Sequence, residues 1–325
     1  MTNISELISS SENNKSYFND SDYNDYIYEV SYYFNIIDIV FSLSGVILNI
    51  FMIFVLLLLK GSLKTHLKFV LSLAISDLLI ALLLFASLFY HFPIGLKPFI
   101  IQTAPSFLSK TFLSLYLMAQ YAGLGTMLAI SVDILIKIRK PLRYKFLMSK
   151  RRGNIIIICL WFVTPAAFIL ISFCLLAFML NQRVDPLAVL IGASVLFFAL
   201  CVLFFVVFII LYIVIICSIR NFANKYSFRR RTSIKKAAVT FLFVLLTYFI
   251  CLLPIVWLLI PFLISKDSYP YLSVRIVSSL YIVNTICDPI IYTLRIPEIK
   301  EKYWTIYRKM YHRGHSESAV FNLAN

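Results

Sequence analysis

The stretch from Ile276 to Leu294 reads IVSSLYIVNTICDPIIYTL, an apolar run with a single carboxylate, Asp288, followed at once by Pro289. A carboxylate at bilayer depth costs about 2.5–3.5 kcal/mol on insertion scales, so it normally faces a polar cavity inside a helix bundle. A proline within a helix removes a backbone hydrogen bond and bends the helix. Asn284, Asp288 and Tyr292 are spaced four apart and share one helix face. The stretch therefore predicts a bent membrane helix with either a solvated pocket or a polar packing seam along that face.

The composition of the whole chain agrees with a membrane environment. Of its 325 residues, 61% are hydrophobic and 14% are charged, whereas soluble domains average about 45–50% apolar and 25% charged residues. The formal net charge of +15 does not indicate a nucleic-acid partner, because the basic residues flank apolar spans. All six cysteines lie within apolar runs and none has metal-ligand spacing, which is typical of small buried hydrophobes.

Seven apolar stretches are long enough to cross a bilayer, which takes about 20 residues each. They cover residues 34–59, 67–92, 106–137, 154–180, 187–219, 236–264 and 271–294. Residues 295–311 then place apolar side chains every three or four positions with bases between them, which predicts an amphipathic helix in the interface. The predicted fold class is an all-α membrane protein. It consists of a seven-transmembrane helix bundle over 34–294, a short amphipathic helix after span seven, and a cytoplasmic tail over 312–325.

The distribution of charge predicts the orientation in the membrane. Of the 30 basic residues, 24 lie in the connections and the tail on one side of the spans, and the positive-inside rule makes that side cytoplasmic. Residues 1–33 are polar and acidic, and they carry glycosylation sequons at Asn3, Asn14 and Asn19. We therefore expect a multi-pass plasma-membrane protein with a disordered, glycosylated, extracellular N-terminal tail.

Several local motifs occur in a fixed order along these spans. They are LSLAISDLL around Asp77, PLRY at Pro141 to Tyr144, a lone Trp161 in span four, Pro254 in span six and DPIIYTLR at Asp288 to Arg295. In this order they resemble the rhodopsin-like (class A) G-protein-coupled receptors, and the resemblance covers the chain from about 35 to 310.

The melanocortin, cannabinoid, lysophospholipid and adenosine receptor group is the most similar in pattern. Span seven has DP where most class A receptors have NP, and the second extracellular loop is short. Ser109 stands at the usual cysteine of span three, and Phe204 stands at the usual proline of span five.

The resemblance implies a polar pocket that holds a sodium ion. Its residues would be Asn49, Asp77, Asn284 and Asp288. Two acids at mid-membrane repel each other unless a cation, a shared proton or amide donors intervene. Family members often supply a hydroxyl to the ion from a position that is Gly123 here, so a protonated acid is the alternative to sodium. No other cofactor or metal is expected.

The resemblance also implies a set of activation and coupling residues. These are Asp133, Ile134, Leu142, Arg143, Tyr212, Leu252, Pro254, Pro289 and Tyr292. Two of them, Ile134 and Leu252, depart from the family, and so does Ile234 outside this set. Asp133-Ile134-Leu135 replaces the usual Asp-Arg-Tyr, Leu252 replaces the usual tryptophan, and Ile234 stands where the acidic partner of the missing arginine belongs. Because both members of that charge pair are absent, no unpaired ion is left behind. Asp133 instead has Lys137 one helical turn away.

A ligand cavity is implied in the outer half of the bundle, between spans two, three, six and seven. Its inward positions are Ser87, His91, Tyr116, Leu117, Gln120, Ile255, Leu259, Ser278 and Tyr281. The absence of an acid at Tyr116 argues against a monoamine ligand, and Ile282 in place of an opsin's retinal-bearing lysine argues against photoreception. A mostly apolar cavity with a few hydroxyls and one amide suits a lipophilic small molecule, with a peptide as the other candidate.

The predicted function is that of a cell-surface receptor that transduces binding of an extracellular ligand to a heterotrimeric G protein. Further expected partners are arrestin and membrane lipid. An atypical receptor on the same fold, either non-signalling or constitutively active, is the first alternative. A transporter or channel that uses the two acids as an ion path is the second, disfavoured because residues 111–132 and 187–219 carry no charged side chain. An enzyme is not expected, because we find no nucleophile–base pair and no glycine-rich phosphate loop.

Overall fold

The structure, a computed structural model, describes residues 20–59, 63–91, 106–181, 186–221, 232, 235–236, 238–240, 242–251 and 271–309. Its long helices are α1 (Asp20–Leu57), α2 (Thr65–His91), α3 (Ser106–Arg139), α4 (Lys150–Asn181), α5 (Pro186–Asn221) and α7 (Tyr271–Arg295). Helix α6 is described at 238–240 and 242–251, and α8 covers 297–309. A single helical turn, Tyr144–Leu147, lies between α3 and α4. No strand occurs in the described ranges, as expected for an all-α membrane bundle.

Four helices contain apolar segments long enough to cross a bilayer within the part of the chain that could be searched. These segments are Tyr32–Leu57, Thr65–Ala86, Met118–Arg139 and Val202–Asn221. For five of the predicted spans the helix ends lie within four residues of the predicted ends, which is close to the uncertainty of any boundary assignment.

The start of α1 differs from the sequence prediction. The helix begins at Asp20, so residues 20–33, which we assigned to a disordered tail, are helical. No glycine or proline interrupts the chain between Asp20 and Gly45. Asp20 and Asp22 also lie at the positive end of the helix dipole, where acids stabilise a helix. A polar composition indicates that a segment is solvated, but it does not exclude a helical backbone, which depends on the helix propensities of the residues. We therefore did not predict this part of the helix.

Helix α1 shows how the bundle divides its surface between lipid and interior. The apolar side chains of Val40, Leu43, Ile47, Ile50 and Phe54 are exposed on one side of the helix, as in a membrane helix that faces lipid. The opposite side packs against α2 and α7. That buried side carries Asp38, Ser42, Gly45 and Asn49 in its upper part and Met52, Val55 and Leu56 below them. The buried face of α1 is therefore polar between Asp38 and Asn49 and apolar from Met52 to Leu56.

A hydrogen-bonded cluster connects α2, α3 and α4. The indole nitrogen of Trp161 donates to Ser72 Oγ at 3.0 Å, and Ser72 Oγ lies 3.1 Å from Thr126 Oγ1. Thr126 Oγ1 donates in turn to the backbone carbonyl of Ala122. Each of these polar groups has a partner, as buried groups in a membrane bundle require. The cluster fixes α2 against α3 directly below the site described next.

Candidate functional site

The central feature of the bundle is a pair of buried carboxyl groups from α2 and α7. Asp77 is 4% exposed and Asp288 is 2% exposed. They line a cavity of about 10 Å³ between α2, α3, α6 and α7, which is close to the smallest space that holds one water molecule. The structure thus brings to one cavity the two acids that the sequence analysis placed in one pocket.

Asn49 of α1 is hydrogen-bonded to Thr285, which lines this cavity. Its Nδ2 donates to the carbonyl oxygens of Gly45 at 2.9 Å and Thr285 at 2.8 Å. Thr285 lies four residues before Pro289, which has no N–H, so its carbonyl lacks the usual helical donor. Gly45 allows the close approach of the helices, because a Cβ there would lie 2.7 Å from Thr285 Oγ1. The proline thus creates a free acceptor in α7 and the asparagine of α1 satisfies it.

Four side-chain oxygens at this site have no hydrogen-bond partner in the described part of the protein. They are Asn49 Oδ1, Asp77 Oδ2, Asn284 Oδ1 and Asp288 Oδ1. Each of these residues is at most 7% exposed. A buried oxygen without a donor is costly, and all four atoms are acceptors of the kind that bind hard cations or water. The residues present therefore fit a monovalent cation, although no group of three or more His, Cys, Asp or Glu side chains gathers in the described ranges.

Gly123 of α3, where the family often has a hydroxyl, lies next to Ser76 of α2. A Cβ at position 123 would lie 3.0 Å from Ser76 Oγ, so the serine hydroxyl occupies the space beside the glycine. Ser76 is fully buried and its Oγ donates to the carbonyl of Leu73 at 2.7 Å. At Gly123, α3 carries no hydroxyl, and the hydroxyl of Ser76 from α2 lies beside this position instead.

A hydrogen bond that sequence reasoning missed closes the pocket on the α6 side. Gln120 Nε2 of α3 donates to the hydroxyl oxygen of Tyr248 of α6, and both side chains line the same cavity as the acids. They are 5% and 8% exposed, respectively. We expected Gln120 to face a ligand, whereas here it binds α6. A tyrosine within an apolar run gives no sequence signal that separates this role from simple packing.

Comparison with known proteins decides the family. The family model described as "7 transmembrane receptor (rhodopsin family)" matches residues 48–292, about three quarters of the chain. The chain belongs to the rhodopsin family of seven-transmembrane receptors. No curated protein matches it. The fold is accordingly a seven-helix membrane bundle and the protein is a signalling receptor of the membrane, not a member of an enzyme family.

Near the C-terminal end of α3, a cluster forms around Asp133, next to the position of the missing arginine. Lys137 Nζ contacts Asp133 Oδ2 at 2.5 Å, which agrees with the pairing expected one turn along the helix. The hydroxyl of Tyr144 donates to Asp133 Oδ1 at 2.8 Å, and the Lys137 ammonium lies 5.2 Å from the centre of the Tyr144 ring. Burial, and then the charge and hydrogen bond of Asp133, raise the pKa of the Tyr144 phenol well above its usual range. Asp133, 1% exposed, is thereby held from both sides.

The other residues of the coupling set are distributed as follows. Ile134 is 5% exposed and belongs to the main apolar cluster, together with Tyr292, while Tyr212 packs against that cluster. Leu142 is 97% exposed and Arg143 is also exposed. Ile134 therefore contributes packing where the family has an ion.

Two further contacts between helices lie near the C-terminal ends of α3 and α7. Arg139 Nε of α3 donates to Ser218 Oγ of α5 at 3.0 Å. Arg295 lies 4.4 Å from the ring centre of Phe243 and joins α7 to α6. These two contacts join α3 to α5 and α7 to α6, whereas the absent arginine pair would join α3 to α6.

The predicted ligand cavity is described only in its lower part. Tyr116 is half-buried against the small cluster of Ile80 and Ala119, one turn above Gln120. Ser87 and His91 lie in α2, Leu117 in α3, and Ser278 and Tyr281 in α7, but their side chains are outside the described set. Positions outside the described residues are Ile255, Leu259, Leu252, Pro254, Asn3, Asn14 and Asn19.

Proposed function

We propose that this receptor binds an extracellular ligand between the N-terminal half of α3 and the outer part of α7, and that binding drives nucleotide exchange on a heterotrimeric G protein. The observation that supports the proposal is the buried pocket in which Asp77, Asp288 and the Gln120–Tyr248 hydrogen bond meet. Three moving parts of the bundle, α3, α6 and α7, converge there. A ligand that separates α3 from α6 would break this contact and release α6.

The ligand is proposed to be a lipophilic small molecule, with a peptide as the alternative. Tyr116 packs against Ile80 and Ala119, and Gln120 lines the cavity together with Ile80. One phenol and one amide therefore lie beside an apolar surface, which suits an apolar ligand with few polar groups. The similarity in motifs to the melanocortin, cannabinoid, lysophospholipid and adenosine group supports the same classes of ligand.

Sodium in the acid pocket is part of the proposal. Asn49, Asp77, Asn284 and Asp288 would hold the ion through the oxygens that lack other partners. When bound, the ion supplies positive charge that offsets the repulsion between the two carboxylates. The protein's own contribution is to keep these oxygens buried and oriented through the Asn49–Thr285 hydrogen bond.

The receptor is proposed to lie in the plasma membrane with its N-terminus outside, because the basic residues gather at the C-terminal ends of α1, α3 and α5. The G protein, and arrestin in turn, would contact the surface formed by Leu142, Arg143 and Arg139. Helix α8 would lie along the lipid headgroups, with Lys300 and Arg308 beside Trp304.

The competing proposal is an atypical receptor that binds a ligand without signalling, or that signals without one. The buried Ile134 favours it, since this position offers the G protein no charge. The test is guanine-nucleotide exchange by the receptor in lipid nanodiscs with a panel of purified G proteins, measured first without ligand and then with lipid and peptide libraries. Exchange that a ligand raises above the ligand-free level supports the receptor proposal, whereas exchange above that of the G protein alone without any ligand supports the constitutively active alternative.

The Ile134→Arg variant separates the remaining cases, with Ile134→Met as the apolar control. A large gain for Ile134→Arg only would indicate weakened coupling in the parent chain. Absence of exchange in all three proteins with every ligand class would overturn the signalling proposal in favour of a binding receptor. A sodium or proton current through the reconstituted protein would instead support a channel.

A further inference from the structure

One face of helix α8 packs against the bundle. Ile299 is 1% exposed and belongs to the main apolar cluster, and Ile306 packs against the same cluster. Tyr303 meets the ring of Phe51 of α1 edge to face, with 5.4 Å between the ring centres. Phe51 lies six residues before the end of the apolar segment Tyr32–Leu57, or about 9 Å along the helix axis. Helix α8 therefore lies at the level of the membrane surface and not in open solvent.

A groove runs along the opposite side of α8, between two rows of side chains that are spaced four residues apart. One row is Lys300, Trp304 and Arg308, and the other is Pro297, Glu301 and Thr305. Rows of this spacing form adjacent ridges on a helix surface. Together they line a cavity of about 470 Å³, and all six residues are exposed. We call this cavity the α8 groove. Its volume lies within the range of about 300–1,000 Å³ that is usual for small-molecule sites.

The α8 groove combines positive charge with an aromatic ring and oxygen acceptors. Lys300 and Arg308 are eight residues apart, or about 12 Å along the helix, and neither forms an ion pair within the described ranges. Trp304 stands between them and is 49% exposed. Glu301 supplies a carboxylate, and the hydroxyl of Thr305 donates to the backbone carbonyl of Glu301 at 2.8 Å. The hydroxyl oxygen of Thr305 remains able to accept.

These groups fit a headgroup that carries several phosphates on a polyol ring. Because the indole of Trp304 separates the two cations, they do not converge on one phosphate. Phosphates on opposite sides of a six-membered ring can pair with both cations, since lysine and arginine side chains are long and flexible. The ring then covers the indole, and its hydroxyls donate to Glu301. A serine headgroup holds its phosphate and carboxylate only a few bonds apart, so it reaches one cation only.

We propose that the α8 groove binds the headgroup of a phosphatidylinositol lipid with at least two ring phosphates. Lys300 and Arg308 hold the phosphates, Trp304 packs against the carbon face of the ring, and Glu301 accepts its hydroxyls. This proposal rests on the proposed orientation of the receptor, which puts α8 at the cytoplasmic leaflet, where anionic lipids gather. Because α8 follows α7 directly after Arg295, the bound lipid fixes the C-terminal end of α7 at the membrane surface.

Binding of short-chain lipids to the purified receptor in neutral maltoside micelles tests the site. The probe is dioctanoyl phosphatidylinositol bisphosphate, compared with dioctanoyl phosphatidylserine and with free inositol trisphosphate. We expect the bisphosphate lipid to bind at least about tenfold more tightly than the serine lipid, because its phosphates reach both basic side chains. Equal affinity for the two lipids would overturn the assignment to a phosphorylated ring. Free inositol trisphosphate that binds as tightly as the lipid would overturn a membrane lipid as the occupant.

Two pairs of substitutions with the same change in charge separate the groove from general attraction. Lys300→Gln combined with Arg308→Gln should weaken binding of the bisphosphate lipid by about tenfold or more. Lys302→Gln combined with Lys309→Gln removes two charges from the same helix outside the α8 groove. This control should stay within about twofold of the parent at physiological salt, because exposed charges away from the ligand are screened. Equal losses in the two pairs would overturn the site.

A conservative variant protects the test against misfolding. Lys300→Arg combined with Arg308→Lys exchanges the two cations and keeps both charges, so it should retain the affinity of the parent within about threefold. A loss as large as that of the glutamine pair would overturn the role of the two charges. All variants are compared only where they are monodisperse and unfold at the temperature of the parent without lipid. The micelle offers lipid from every side and no G protein is present, so the result depends neither on orientation nor on signalling.

Discussion

The Nδ2 atom of Asn49 donates a 2.8 Å hydrogen bond to the backbone carbonyl of Thr285, the acceptor that Pro289 leaves without a helical donor. Asn49 of α1 therefore supplies the hydrogen bond that Pro289 removes from α7. A proline in this position needs an external donor, and the same side chain carries a buried amide oxygen that has no hydrogen-bond partner in the described part of the protein. Through this one side chain α1 stabilises the part of α7 that lines the pocket, since Thr285 is one of the lining residues.

Replacing Asn49 by alanine should destabilise the receptor by about 1–3 kcal/mol, because the Thr285 carbonyl is left buried and unpaired. In a Pro289→Ala background the restored N–H would satisfy that carbonyl, so the cost of Asn49→Ala should fall by about 1 kcal/mol. The free energy of unfolding in detergent, measured for the four proteins of this cycle, gives the coupling. Asn154→Ala, which removes an exposed amide bonded to Lys68, serves as the control. Additive effects of the two changes would contradict the relationship.

Sodium should raise the unfolding temperature of the receptor relative to choline at equal ionic strength. At ten times the dissociation constant the stabilisation is about 1.4 kcal/mol, and Asp77→Asn should abolish it by removing one of the two charges. Glu298→Gln changes an acid that pairs with Lys64 outside the spans, so this variant should keep the full response to sodium. A parent protein that responds equally to sodium and choline would show that the pocket holds a shared proton or water.

Gly123→Ser should strengthen the response to sodium by adding a hydroxyl to the cavity. The new Cβ would lie 3.0 Å from Ser76 Oγ, so the serine side chain must shift slightly to admit it. Gly123→Ala introduces the same Cβ without the hydroxyl and is the matched control. The midpoint of the sodium titration of unfolding temperature should decrease for Gly123→Ser and stay unchanged or increase for Gly123→Ala. The same shift in both variants would attribute the effect to packing.

The sequence predicted the acid pocket because charges in apolar runs are rare and their spacing along a helix is fixed. Asp77, Asp288 and the contact of Asp133 with Lys137 follow from this reasoning. Tyr248 could not be singled out, because a phenol in an apolar run has the same pattern whether it packs or hydrogen-bonds.

Asp38 and the start of α1 were missed for a related reason. The acids of the preceding segment made residues 1–33 look like a solvated tail, and Asp38 lies only five positions beyond it. Its burial depends on Ser279, 241 residues away along the chain, and no local pattern reports a contact of that range.

Tyr144→Phe should destabilise the receptor by about 1.5–3 kcal/mol, the usual contribution of a hydrogen bond to a charged group. Because the folded state raises the pKa of this phenol, its contribution is fully present below the unfolded pKa of about 10 and decreases as the pH rises above it. The difference in unfolding free energy between parent and variant should thus be constant near neutral pH and shrink in alkaline buffer. Tyr33→Phe, at a residue that is 57% exposed, should show neither effect. A difference that grows with pH would contradict the raised pKa.

Tyr248→Phe should raise ligand-independent activity. The substitution removes the acceptor of Gln120 and with it the hydrogen bond that holds α3 to α6 beside the acid pocket. The buried amide of Gln120 would then lack a partner, at a cost of about 1–3 kcal/mol, and outward movement of α6 would let water reach it. The substitution removes the Gln120–Tyr248 hydrogen bond, which stabilises only the resting arrangement. The free energy of the resting form therefore rises relative to the open form, and the equilibrium shifts toward the open form.

Basal nucleotide exchange on G protein is the measurement. Thr247→Ala is the control, because the hydroxyl of Thr247 bonds only to carbonyls of its own helix. Lower basal exchange in Tyr248→Phe than in the control would place this hydrogen bond in the active arrangement instead.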